Sequence, residues 1–207
     1  MLKDENVANI YYHGSWAQGT CTSASDQDLI IVTRSHQWST NFYSELDYFH
    51  IFELHKLFDK YDVCVYSIEN FKTLLQKNYL LCVQCLFLPN EFKLKEEIDF
   101  QKIYLEEFYN PARIKKVAFY EMLHSFNLLS AERERSCQSR SSRPENQDNT
   151  REDFIFKNLF HGLRFLDLGE QLIHKKSIVD FTRVAHLFQQ MKQIRSEVKD
   201  DTSKMQA

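Results

Sequence analysis

The sequence has no long apolar run, no orderly set of paired cysteines and no large surplus of charge, and each absence removes a class of protein. The longest nearly apolar stretch, Tyr79 to Leu88, includes Gln84 and reaches only about half the length that a bilayer-crossing helix needs. Met1 to Asn9 is charged and polar with no apolar stretch behind it, which is not the layout of a secretory signal. The expectation is a soluble, cytoplasmic protein with no membrane partner. Cys21, Cys64, Cys82, Cys85 and Cys137 are odd in number and scattered, which argues against a disulfide framework and fits a reducing compartment. Lys and Arg total 26 against 29 Asp and Glu, and a net charge of -3 supplies no global field for holding long nucleic acid.

What is present is apolar and aromatic. The 207 residues are 43% hydrophobic and 14% aromatic, with 17 Phe and 10 Tyr, so the chain folds rather than remaining disordered. That length buries one core, or one core with a smaller helical annex. Val7 to Tyr12 reads as a strand ended by His13-Gly14-Ser15. Asp28 to Thr33 reads as a second, with Leu29 to Val32 suited to burial. Leu46 to Leu57 fits either a helix or a strand. Val63 to Tyr66 is β-branched and aromatic, and Ser67 opens a helical run in which Phe71, Leu74, Leu75 and Asn78 lie on neighbouring turns.

After Pro89-Asn90 helices are expected to dominate. Asn110-Pro111 is an N-cap followed by proline at the first helical position, and Ile114, Val117, Ala118, Met122, Phe126 and Leu129 make an apolar stripe. Asp153 is expected to cap a second helix through Ile155, Leu159, Leu163 and Leu166. Asp180 is expected to cap a third through Val184, Leu187, Phe188, Met191 and Ile194. The predicted organisation is a strand-bearing domain over residues 1–110, a helical region over 111–198 with a disordered loop near 132–150, and a flexible tail at 199–207.

The chemistry-bearing stretch runs from His13 to Val32. Physically it is a strand, a Gly-Ser turn, a connection, and two carboxylates entering a buried strand. Gly14 lets the backbone approach a ligand closely, and Ser15 adds a hydroxyl and a peptide N–H suited to phosphate oxygens. Asp26 and Asp28, two apart on extended chain, point to one face and can converge on hard divalent cations, which predicts Mg2+ or Mn2+. Separately, a Gly-Ser turn and an Asp-x-Asp pair are ordinary; bracketing one loop before so apolar a strand, they point to function.

This stretch resembles the Gly-Ser, then Asp-x-Asp signature of polymerase-beta-type nucleotidyltransferases, particularly the small predicted ones whose loop is rich in Thr, Ser and Asp. The resemblance implies an α/β domain with a short mixed sheet followed by a helical region. It also implies metal-binding roles for Asp26 and Asp28, and phosphate-binding roles for Gly14 and Ser15. The family's third carboxylate best matches Asp62, heading Val63 to Ser67, with Asp47 and Asp59 as competitors. Lys157, His161 and Arg164 resemble a basic helix common downstream, and their i, i+4, i+7 spacing gives one stripe that could face a nucleoside triphosphate. The implied reaction is two-metal transfer of a nucleoside monophosphate from an NTP to a hydroxyl acceptor with release of pyrophosphate. A protein or small-molecule acceptor fits the charge better than long RNA. The alternative is a catalytically weakened nucleotide-binding or regulatory module. Two departures bear on it: Gln84 where relatives carry Glu, and Glu69-Asn70 where a basic residue is expected.

The remaining signals are structural. Cys82 and Cys85 form a C-x-x-C with no second half, flanked by Leu80, Leu81, Val83 and Leu86, so they read as small buried hydrophobes. His50 and His55 sit in an aromatic stretch as packed histidines. The arginines of the polar loop are interrupted by acids and read as a solvated linker.

Overall fold

The computed structural model describes residues 4–23, 25–34, 54–58, 61–138 and 146–193. Contacts divide the chain into two compact units, residues 1–117 with 168–181, and residues 118–167 with 182–207. The division therefore falls inside two long helices.

The first unit is built on a five-stranded sheet. Its strands are β1 (Val7–His13), β2 (Gln27–Thr33), β3 (Leu54–Phe58), β4 (Tyr61–Ser67) and β5 (Lys93–Glu96), in the order β3-β4-β2-β1-β5. The β2–β4 pair is parallel and the others antiparallel, so the sheet is mixed, as the sequence predicts. Strand β3 resolves the ambiguous segment at its end; residues 46–53, with Asp47 and His50, and also Asp59, lie outside the described residues. One face carries Tyr11, Ile30, Val32 and Tyr66, all buried. Alternation on paired strands gives that face its apolar row, while Ile10, Tyr12, Leu29, Ile31 and Val63 on the other remain half-buried.

Helices α1 (Ile68–Gln76), α2 (Leu80–Leu86) and α3 (Phe100–Ile103) follow β4 and β5 in the chain. Phe71 of α1 is the hub of the core. Its ring stacks on Tyr11 at 6.0 Å, tilts against Tyr66 at 6.1 Å and meets Phe100 of α3 edge-on at 4.9 Å. Ser67 caps α1, its hydroxyl accepting from the Asn70 amide at 3.2 Å. Cys82 and Cys85 of α2 are buried, and burial raises both thiols. Gln84 is buried too, donating to the Leu81 carbonyl at 3.4 Å.

Asn78 departs from the expected helical run. It lies past the end of α1 at φ 55°, in the left-handed region that Asn tolerates. Its side chain donates to the carbonyls of Gln76 and Phe108, both at 3.2 Å, and accepts from the Tyr104 hydroxyl at 2.8 Å. Tyr104 starts a π-turn, Tyr104–Phe108, ahead of α4 (Pro111–Gln138). Asn110 caps α4 as expected, accepting from the Arg113 amide at 3.0 Å.

Helix α5 runs Asn146–Lys175, so Asp153 lies within it rather than at its start. The backbone is helical at 132–138 and again at 146–150, where a disordered loop is predicted; 139–145 and the tail at 199–207 lie outside the described residues. The stretch Ala131 to Arg135 is made of good helix formers. The last described helix, α6, is helical at 185–193. Ahead of it, the Asp180 backbone is engaged by buried Gln171 of α5. Gln171 Oε1 accepts from the Val179 and Asp180 amides, both at 3.0 Å, and Nε2 donates to the Asp180 carbonyl at 2.8 Å.

Within the second unit, α4 and α5 pack closely at Gly162, where an added methyl would lie 3.4 Å from Ser125 Cβ and 3.6 Å from Met122. Phe160 of α5 meets Phe188 of α6 at 5.0 Å, and Arg183 pairs with Asp167. The buried face of α5 also differs from the expected leucine stripe. Leu166 is exposed and Leu159 and Leu163 are half-buried, while Phe160, Arg164 and Asp167 are inside.

Replacing Asn78 by Ala removes three side-chain hydrogen bonds, strands the Tyr104 hydroxyl and places Ala at positive φ. Urea unfolding of Asn78→Ala is expected to show a loss of about 2–4 kcal/mol, and an unchanged midpoint would contradict this account of the corner.

Candidate functional site

Strand pairing fixes two of the three proposed carboxylates. In the parallel β2–β4 pair Asp28 is the register partner of Asp62, and in the antiparallel β1–β2 pair His13 is the partner of Asp28. Paired residues share a face, so His13, Asp28 and Asp62 form one row across three adjacent strands at the end of the sheet's core face. His13 is buried, and Asp28 and Asp62 are half-buried. Cys64, two residues beyond Asp62, reports on the same row. Burial pushes its thiol up to about 12, and the carboxylates of Asp62 and then Asp28 add to the shift.

The Gly-Ser turn closes against this row. Gly14 has φ +70°, and a methyl built on it would lie 1.7 Å from Asp28 Oδ2 and 2.4 Å from its carboxyl carbon. Glycine is therefore required twice over, by backbone conformation and by the space the carboxylate occupies. The turn winds tightly: the amide of Gln18 donates to the Gly14 carbonyl at 3.2 Å, and that of Thr20 to the Ser15 carbonyl at 3.0 Å. The amides of Ser15, Trp16 and Ala17 precede these donors, in the position of first-turn amides.

Asp26 is held differently. It precedes β2 and is exposed, and its carbonyl accepts from Trp16 Nε1 at 3.1 Å. The Trp16 ring lies 6.1 Å from Tyr12, which lies 5.9 Å from Phe92. Among the described residues no group of three His, Cys, Asp or Glu side chains is gathered to hold a metal ion, so the carboxylates form an aligned pair plus Asp26 rather than a closed cage.

The basic residues of α5 have three unlike environments within the second unit. Lys157 is exposed and Arg164 is buried. His161 is held down at about 3, by burial first and then by Arg164 and Lys157, so its ring is neutral near pH 7 and the stripe carries fewer charges than its spacing suggests. Buried Glu121 of α4 is raised to about 7 by burial, which the Arg164 charge partly offsets. Sequence reasoning treated His13 only as a strand end and did not single out Trp16 or Glu121. For His13 the signal was available, because pairing the first two strands across the loop sets it opposite Asp28.

Two measurements test this description. Gly14→Ala is expected to lose at least about 1–2 kcal/mol in urea unfolding from the left-handed backbone alone, before the displaced Asp28 is counted; a variant as stable as the parent would mean the turn is not as described. In a pH–stability series the two buried groups act oppositely. His161, depressed in the fold, contributes stability that is lost as pH falls from 6.5 toward 3, so His161→Leu is expected to flatten the acid limb. Glu121, raised in the fold, contributes stability that is lost as pH climbs from 4.5 through 7, so Glu121→Gln is expected to flatten that decline. Unaltered slopes in both variants would contradict the burial of these groups.

Comparison with curated proteins finds no match. Residues 1–92 match the family described as Polymerase beta, Nucleotidyltransferase, a span that holds the Gly-Ser turn, Asp26, Asp28 and Asp62. No helix among the described residues is long and apolar enough to cross a membrane. Strands β1 to β4 and the Gly-Ser turn thus lie in the part of the chain, residues 1–92, that is similar to the polymerase beta nucleotidyltransferase family.

Proposed function

We propose that the chain transfers a nucleoside monophosphate from an NTP to a hydroxyl acceptor, releasing pyrophosphate. The observation that carries this reading is the register of Asp28 beside Asp62, with Gly14 closed against the Asp28 carboxylate. The donor set fits Mg2+ or Mn2+. Carboxylate oxygens are hard ligands, and Mg2+ is usually bound by one or two carboxylates with phosphates and water completing the shell, so a preformed three-ligand cage is not needed. Asp26, Asp28 and Asp62 would hold such ions, which when bound supply charge neutralisation at the phosphates and a more acidic acceptor hydroxyl.

The chain's own residues do the rest. Gly14 admits the phosphates close to the backbone, and the Ser15 hydroxyl and first-turn amides donate to their oxygens from a turn that needs little reorganisation. The acceptor oxygen bonds to the α-phosphorus as the bond to the pyrophosphate oxygen breaks, and the acceptor's proton passes toward the Asp62 carboxylate. Lys157, His161 and Arg164 are proposed nucleotide-binding residues on their resemblance to the family's basic helix, with His161 acting as a neutral hydrogen-bonding group. The net charge of -3 favours a protein or small-molecule acceptor over long RNA.

The test is transfer of label from α-labelled NTPs in Mg2+ to a panel of acceptors. Asp28→Asn and Asp62→Asn keep the shape and lose the charge, and each is expected to lower transfer about a hundred-fold or more with an unchanged circular dichroism spectrum. Undiminished transfer in both would overturn the assignment. Nucleotide binding with no transfer to any acceptor would favour the nucleotide-binding module.

A further inference from the structure

Asp28 and Asp62 are held by ladder pairing on both sides, whereas Asp26 stands outside β2, exposed, at the end of a turn in which the Ser25 amide donates to the Thr22 carbonyl at 3.0 Å. Backbone at such a position is free to drift unless something else fixes it. The Trp16 indole does so, donating from Nε1 to the Asp26 carbonyl at 3.1 Å. The indole is anchored in turn. It belongs to the wound turn that begins at Gly14, and its ring lies against Tyr12, which is paired to Leu29 in the sheet and backed by Phe92.

We propose that Trp16 is a positioning residue that ties the phosphate-binding turn to Asp26, a candidate carboxylate that stands outside the sheet ladder. The inference rests on the reading of Asp26 as a ligand to a divalent cation. Trp16 touches no reacting atom; it acts through the Asp26 backbone, so that the Gly-Ser turn and Asp26 keep one fixed spacing.

The experiment is a double-mutant cycle on the full chain, read as Mn2+ affinity by electron paramagnetic resonance, with thermal melting to confirm folding. Asp26→Asn is expected to weaken Mn2+ binding. Trp16→Phe keeps an aromatic ring against Tyr12 but loses the N–H, and is expected to weaken Mn2+ about five-fold, the worth of one hydrogen bond. In the Asp26→Asn background the same change is expected to cost nothing more, because its route is already cut. An unchanged affinity in Trp16→Phe, or an equal further loss on top of Asp26→Asn, overturns the inference while leaving the metal reading intact. An Asp26→Asn variant that binds Mn2+ normally overturns the metal reading and this inference with it. Should Trp16→Phe fail to fold, benzothienylalanine at position 16 in a Trp38→Phe chain keeps the bicyclic ring without the N–H, and the same cycle applies.

Discussion

The parallel pairing of β2 with β4 governs everything else at this end of the molecule. Side chains alternate along a strand, so a slip of one residue would turn Asp28 away from Asp62 and expose Ile30 and Val32 in its place. Burial of Tyr11, Ile30, Val32 and Tyr66 on the same face makes such a slip costly, and Phe71 clamps three of the aromatic contacts that enforce it. The apolar row and the polar row are the same row continued. Stability of the core and alignment of the carboxylates are therefore one property, not two, and the helix that follows β4 without a break fixes both through its Ser67 cap.

That continuity explains how much was legible in the sequence. Asp28 and Asp62 each head a run of β-branched and apolar residues, which marks both segments as strands without saying which strand pairs with which. Gly14 was legible as a turn, but the reason it must be glycine, the carboxylate packed over its Cα, depends on an approach between segments that no local spacing encodes. Asp153 does not open a helix because α5 already begins at Asn146. The bonds from Gln171 to the Asp180 backbone, nine residues away along the chain, are likewise not encoded by local spacing. The polar stretch on either side of residues 139–145 read as loop because it has nothing to bury, yet Glu, Arg and Gln favour helix whether or not a core is present.

Spacing also identifies which residues share a helix face without saying how deep each one lies. Lys157, His161 and Arg164 keep the i, i+4, i+7 relation, but they pass from solvent to interior along α5. Burial converts a stripe that looks uniformly cationic into a charged tip, a neutral ring and an enclosed guanidinium facing the field of Glu121. Exposed and buried members of such a stripe answer to different physics, screened Coulomb attraction in one case and desolvation in the other.

At the opposite side of the sheet from β3 lies β5, and its construction bears on how the molecule behaves among copies of itself. The strand is only four residues long, Lys93–Glu96, and forms the sheet's edge. Lys93 pairs with Glu96 at 3.1 Å and Lys95 with Glu97 at 3.0 Å, while the chain beyond is drawn inward as the Glu97 amide donates to the Ala8 carbonyl at 3.2 Å and the Ile98 amide to Asn9 Oδ1 at 3.1 Å. A strand from a second molecule arriving at this border would meet very little open ladder and would have to part ion pairs to use it. The border thus works as a terminator of strand addition, closing that side of a Tyr- and Ile-bearing sheet to cross-β growth.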